Sequence, residues 1–285
     1  MSTQVTTAFV QQFSSNIQLL SQQMGSLLRG SVDSESVVGE KAFFDQVGKA
    51  AAAQRTSRHA ETPLMDTPHS RRMVTLADYE WADLIDDQDK VRMLADPTST
   101  YARAAAAAMG RQMDDTIIAA ANGTAYTGST GSTSTALPSG QKIAHGSGGL
   151  TVAKLVSAKK ILDANTIDPS IPRYIAVSPE QIEDLLNITT VTSADYNTVK
   201  ALVQGDIDTF CGFKFITTTR LTDDGTSRLC LAWAEDGLKL GLGKDVSANI
   251  TERADKSYST QVYYCMSIGA TRMEEEKVVQ IACNE

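Results

Sequence analysis

The stretch DPTSTYARAAAAAMGRQMDDTIIAAANG, residues 96–123, carries the strongest helical signal in the chain. From Tyr101 to Ala121 it contains no proline and a single glycine, Gly110. Pro97 precedes it, Thr98 or Ser99 can cap its first turn, and Asn122-Gly123 supplies a stop. At 1.5 Å per residue the predicted helix is about 30 Å long. Every residue from Ala102 to Ala108 except Arg103 is alanine, a face small enough for other backbones to approach closely. A helix of this length and smoothness reads as a structural spine.

Outward from the spine, the flanking segments are irregular. Residues 123–149 hold seven glycines, five serines and five threonines, a composition that buries little and predicts a surface loop or hairpin. Upstream, RRMVTLADYEWADLI (71–85) alternates, with Val74, Leu76, Glu80 and Leu84 on one side. Pro63 and Pro68 interrupt the polar, basic run before it. The pattern predicts a long two-stranded excursion with its tip near those prolines, exposing edges that one domain cannot cover. In residues 1–29, Phe9, Phe13, Ile17, Leu20, Met24 and Leu27 form an apolar stripe at helical spacing opposite a neutral Gln/Ser face. Such a helix needs a partner. Either its own domain or a neighbouring subunit could supply one.

Downstream, a helix is expected at 151–164 and a short buried strand in PRYIAVSP (172–179). Ser178-Pro179-Glu180-Gln181 reads as a capping box opening another helix. A short helix at 194–204 and a single strand in FCGFKFITTTRL (210–221) follow, and the tail from Arg228 is rich in strand patterns. Strands and helices do not alternate regularly, so the fold class is α+β.

Charge and composition narrow the function. The 285 residues include 26 Lys and Arg against 34 Asp and Glu, a net charge of −8, which disfavours binding nucleic acid by phosphate neutralisation. The first 28 residues carry no charge, so the cationic start of a secretory signal is missing and an intracellular protein is expected. Cys211, Cys230, Cys265 and Cys283 lie 19, 35 and 18 residues apart, without the close pairs of a zinc site. They read as reduced, mostly buried thiols in strands. The glycines of GLKLGLGKD (237–245) fit neither a phosphate loop nor a dinucleotide turn and belong in turns and a strand. His59, His69 and His145 stand without metal-ligand spacing. The acidic run Asp83, Asp86, Asp87 and Asp89 lacks the glycine and distant glutamate of a calcium loop. No catalytic residues, cofactor or metal site are expected. The acids fit better as a patch meeting Arg55, Arg58, Arg71 or Arg72 of another subunit. Spine, ribbon, arm and loop together exceed what one compact domain requires, as in a subunit built to interlock.

Three phrases sharpen this. TSRHAETPLMDTPHSRR (56–72), DLIDDQDKVRMLADPTS (83–99) and the closing GATRMEEEKVVQIAC (269–283) resemble the major capsid proteins of tailed bacteriophages with the Hong Kong 97 type fold. The resemblance spans nearly the whole chain in order. It implies an N-terminal arm (1–48), an extended loop (49–82), a peripheral domain with the spine helix (83–149, returning at 235–285) and an axial domain (150–234). It further implies hexamers and pentamers closing an icosahedral shell around double-stranded DNA bound without sequence specificity. Assembly in the host cytoplasm with a portal, and no membrane, belongs to the same expectation. One family member crosslinks its extended loop through lysine. Here no lysine lies between Lys49 and Lys90, which predicts non-covalent strength or cement (decoration) proteins. No long charged helix opens the chain, so a separate scaffolding protein is expected. An encapsulin-like compartment shell is the alternative with the same fold. A metal-dependent hydrolase using the Asp83–Asp89 cluster is the alternative of another class.

Overall fold

The computed structural model describes residues 22–285 except 56, 60, 63, 87–97, 147 and 188–208. The expected first helix, up to residue 21, and the one at 194–204 lie outside the described residues, as does Asp87.

Among the described residues there are three sheets and three α-helices, with short 3-10 turns between them. The six-stranded sheet runs in the order β7 (Lys142–Ile143), β14 (Val278–Cys283), β11 (Arg228–Ala234), β8 (Arg173–Val177), β10 (Phe213–Thr217), β9 (Thr209–Phe210). β8 pairs parallel with β10 and antiparallel with β11, which pairs antiparallel with β14. Ile175, Ala176 and Val177 of β8, Cys230 to Ala234 of β11, and Val278, Val279 and Ile281 of β14 are all buried. Central strands covered on both faces read as continuous apolar runs, and these do. Helix α2 (Val152–Ala164) buries Leu155, Ala158 and Leu162, and its N-cap Thr151 accepts from the Lys154 N–H at 3.3 Å. Helix α3 (Pro179–Asn187) opens with half of the expected capping box. Gln181 Oε1 accepts from the Ser178 N–H at 2.9 Å, but the Ser178 hydroxyl donates to Glu285 instead.

The FCGFKF segment is a hairpin, not one strand. Cys211 (φ 53°) and Gly212 (φ 83°) both occupy the left-handed region and turn β9 into β10 in two residues. Two successive positive φ values are what a tight hairpin turn demands. Cys211 therefore sits in a turn, while Cys230, Cys265 and Cys283 lie in strands as expected.

A second sheet has the order β2 (Lys41–Val47), β3 (His69–Thr75), β5 (Ala125–Thr127), β6 (Thr133–Thr135). The β2–β3 ladder runs from Lys41 opposite Thr75 to Val47 opposite His69. Its far end closes where the Gly48 N–H donates to the Pro68 carbonyl at 2.8 Å. Pro68 is thus at the base of the excursion rather than at its tip, since a residue without an N–H can end a ladder but not continue it. Between them, residues 48–68 carry no strand or helix among the described residues. β5 and β6 are the Gly/Ser/Thr hairpin.

The third sheet has the order β1 (Asp33–Ser36), β12 (Leu238–Arg253), β13 (Ser259–Arg272), β4 (Ala77–Ile85). Gly241 and Gly243 lie inside β12, as expected. A Cβ on Gly241 would stand 3.0 Å from a Val37 methyl, and one on Gly243 would stand 2.4 Å from Leu76 Cδ1.

Helix α1 (Thr98–Asn122) is the spine, and it is longer than Tyr101–Ala121. It buries Ala105, Ala107, Met109, Met113, Ile117, Ile118 and Ala121. Residues 22–28 are not helical, so the predicted stripe does not reach Met24 and Leu27, both of which are exposed. Gly25, at φ 81°, breaks the pattern. It lies so near Gly110 that a Cβ on Gly110 would stand 2.3 Å from the Gly25 carbonyl carbon.

The described residues form two compact units. The larger comprises Leu27–Ala77, Gln112–Gly243 and Ser267–Glu285. The smaller comprises 22–26, Asp78–Arg111 and Lys244–Met266.

Candidate assembly surfaces

The arginines and acids singled out from sequence occupy three kinds of place. Arg55 and Arg58 are exposed on the 48–68 loop, Arg55 Nε donating to the Ser57 carbonyl at 2.7 Å. Arg71 is half-exposed and donates from Nε to Asp45 Oδ1 at 2.6 Å, directly across the β2–β3 ladder. That bond holds the Asp45 carboxyl below its ordinary range. The guanidinium also lies 5.6 Å from the centre of the Phe43 ring. Arg72 is buried and pairs with Glu275 at 2.5 Å. Each of these two arginines therefore finds an acid inside its own unit. Asp83, exposed on β4, accepts from the Leu84 N–H at 2.8 Å, and Asp86 accepts from the Ser259 hydroxyl. Lys49 pairs with Glu276 at 3.0 Å on the surface, whereas Lys90 lies outside the described residues.

The charged centre that sequence reasoning missed is Arg272, at the end of β13 with no exposed surface. Its Nη1 donates to the carbonyls of Ala121 (2.8 Å) and Gly123 (2.9 Å), and its Nη2 to that of Thr135 (3.0 Å). The last carbonyls of a helix have no partner within the helix, and a cation there also meets the negative end of the helix dipole. Arg272 thus caps α1 and ties it to β6. Glu275 Oε1 lies 3.7 Å from Arg272 Nε, while Arg72 Nε donates to the Met273 carbonyl at 2.8 Å. Burial, against the pull of Glu275, pushes the Arg272 guanidinium below its ordinary range. Two guanidiniums share one carboxylate, and backbone carbonyls supply the remaining negative charge. The only local hint was a lone arginine in the otherwise uncharged run CMSIGATRM (265–273).

Other polar side chains fasten the larger unit. Lys154 Nζ contacts four carbonyls, those of His145, Gly148 and Gly149 at 2.8 Å and Ala282 at 3.0 Å. Glu285 accepts from the Ser178 hydroxyl (2.7 Å), Gln181 Nε2 (2.9 Å) and Arg228 Nε (2.9 Å). The bond from Arg228, ahead of the others, holds its carboxyl down to about 2.

What is left outside is apolar and extended. Leu64 is 97% exposed and Met65 47% on the 48–68 loop, while Val47 at its base is 64% exposed. On the β12–β13 hairpin, Tyr258 is 64% exposed and Ile250 50%. From Lys244 to Glu252, β12 shows mainly exposed residues on both faces. These large side chains stand bare on one loop and one hairpin, where a protein partner could cover them. Among the described residues no group of His, Cys, Asp and Glu is arranged to hold a metal ion, and no helix is long and apolar enough to cross a membrane.

A family model described as "phage capsid protein" matches residues 5–285. Among solved structures, the capsid of cyanophage P-SCSP1u is similar over 100% of this chain and 96% of its own, with a TM-score of 0.77 at 18% identity. The capsid of Ralstonia phage GP4 gives 0.74 at 9% identity, covering 97% and 95%. A chain of Mycobacterium phage Che8 gives 0.70 at 17% identity, covering 96% and 97%. No curated protein matches the chain.

Proposed function

The chain belongs to the phage capsid protein family, and we propose that it is the shell-forming subunit, assembling as hexamers and pentamers into an icosahedral container for phage double-stranded DNA. Its α+β fold is of the Hong Kong 97 type. The observation that carries the reading is the match of residues 5–285 to the phage capsid protein family, together with likeness over 97% or more of the chain to two phage capsid structures at TM-scores of 0.77 and 0.74. The bare side chains of the 48–68 loop and of the β12–β13 hairpin are the surfaces such packing needs. In this reading the arm is 1–48, the extended loop 49–82, the peripheral domain 83–149 with 235–285, and the axial domain 150–234. Arg55 and Arg58, exposed and without an ion pair among the described residues, meet acids of a neighbouring subunit, with Asp83, Asp86 and Asp87 as the candidates. Arg71 keeps an open side for the same purpose, whereas Arg72 serves the interior.

A subunit of net charge −8 repels phosphate on average, which suits a wall that must release its genome. Scaffolding and portal proteins guide closure in the host cytoplasm, and either non-covalent contacts between subunits or decoration proteins supply the strength that covalent crosslinks do not. The role is structural rather than enzymatic.

The test is to produce the chain with and without a scaffolding protein and examine it by light scattering and negative-stain electron microscopy. Closed polyhedra, or rings of five and six, are expected. A particle that stays at 30.6 kDa with the scaffold present overturns the reading.

A further inference from the structure

A cavity of about 610 Å³ opens between the end of α2, the turn at 166–172 and the β9–β10 hairpin. Three cations line it: Lys159 on α2, Arg173 at the start of β8 and Lys214 on β10. Its two acids are already engaged. Asp163 accepts from Arg173 Nη1 at 2.6 Å, and Asp168 accepts from the Ser170 N–H at 2.8 Å. Lys159 and Lys214 make no ion pair or hydrogen bond among the described residues, although Lys214 Nζ stands 5.5 Å from the centre of the Tyr174 ring. Arg173 is 7% exposed, and its Nε is buried without an acceptor. The cavity therefore holds more positive charge than its own acids neutralise. Thr166, just beyond the end of α2, and Gly212, in the β9–β10 turn, complete its lining.

The lining also selects among anions. Ile167, Pro169, Ile171 and Pro172 give the cavity an apolar wall. A phosphate backbone presents nothing to match that wall, while a peptide segment presents a carboxylate and apolar carbon together. Each copy of this chain carries 34 acidic side chains, so other copies supply that chemistry. We propose that this cavity receives an acidic side chain from a second copy of the chain, with Lys159 and Lys214 gripping the carboxylate and the proline-rich wall packing against its neighbours. The inference rests on the self-assembly reading above.

It is tested on assembled particles built from mixed 15N-labelled and unlabelled subunits. A zero-length carbodiimide joins only amines and carboxylates in direct contact, and mass mapping should find Lys159 or Lys214 coupled to an Asp or Glu of the other isotope. In parallel, the K159Q/K214Q double variant removes exposed charges without touching the buried core, and circular dichroism checks its fold. We expect its critical assembly concentration to rise about tenfold, the equivalent of 1.4 kcal/mol at the contact. An unchanged critical concentration with no inter-copy coupling at either lysine overturns the cavity assignment and leaves the shell reading standing. Coupling to a different protein, or only within one copy, overturns the choice of occupant. A chain that never assembles overturns both readings.

Discussion

Replacing Arg272 by methionine tests the central claim about the interior. Methionine keeps most of the length and apolar contact of the side chain but removes its charge and every donor. Three carbonyls, those of Ala121, Gly123 and Thr135, would lose bonds of 2.8, 2.9 and 3.0 Å. Leaving a buried acceptor unpaired costs about 1–3 kcal/mol, so three partly enclosed ones cost about 3–5 kcal/mol together. Against this stands a gain of about 1–2 kcal/mol from no longer burying a cation. Glu275 does not add to the loss, because Arg72 still pairs with it at 2.5 Å. We expect a net destabilisation of about 2–3 kcal/mol. For a chain of this size that lowers the melting temperature by about 5 °C. The assay is urea denaturation of the unassembled subunit, followed by tryptophan fluorescence. A double-mutant cycle with Glu275→Gln sharpens it: the glutamine should cost less in the R272M background than in the native chain, since one unneutralised guanidinium remains instead of two. Stability unchanged within about 0.5 kcal/mol, or a gain, would refute the view that Arg272 holds the end of α1 to β6.

Other perturbations probe separate parts of the chain. Lys154→Met strips the ammonium from four carbonyls and should cost about 2–4 kcal/mol, with faster amide exchange at 145–150 reporting the loosened turn. Glu285→Gln tests a pH dependence. The native carboxyl is held down to about 2 from its ordinary 4.5, so its stabilisation is complete above pH 4.5 and disappears as pH falls through 2. At pH 7 the variant should be weaker by about 1 kcal/mol, the carboxylate being close enough to water to lose much of its pairing energy to solvent. The difference should close near pH 2, and a gap constant with pH would contradict the pairing. Ser247 and Lys244 draw the Cys265 thiol below its ordinary range, each within 3.2 Å of its sulfur. Hydrogen bonding with Cys283, and burial, push Cys230 up. As pH is raised, iodoacetamide should label Cys265 well before Cys230, and Lys244→Met should narrow the interval.

What sequence could show was local. The spine, the α2 boundary and the apolar run of β11 are periodic signals that stand on their own residues. So is the placing of Gly241 and Gly243 within β12. What it misjudged depends on partners far along the chain. Val47 is paired with His69 by tertiary register, which the 71–85 alternation alone does not contain, so the ribbon began earlier than expected. The box at Ser178 kept one arm because Glu285, distant in sequence, took the serine hydroxyl. Phe210 to Phe213 reads as one strand until two positive φ values reverse it. Arg71 and Arg72 each hold an acid of their own unit, and the contacts expected of them with another subunit involve partners that lie beyond one chain. A charge in a sequence states a need for a partner but not which chain provides it. Arg272 went unnoticed because a buried cation satisfied by carbonyls leaves no complementary acid to find.

The segment from Gly48 to Pro68 has a kinetic side. With its ends fixed by one ladder and no strand or helix among its described residues, in the proposed shell it would surrender conformational freedom on settling against a neighbour. Fixing a residue costs about 1–2 kcal/mol, so much of what Leu64 and Met65 would gain by burial against a neighbour would go into ordering. Each early attachment is then weak enough to come apart, and a misplaced subunit can leave before the next arrives. If the subunits form rings as proposed, departure once several such loops are engaged on one ring would require them all to release together. Tolerance of error at the start and permanence at the end follow from the same short run of chain.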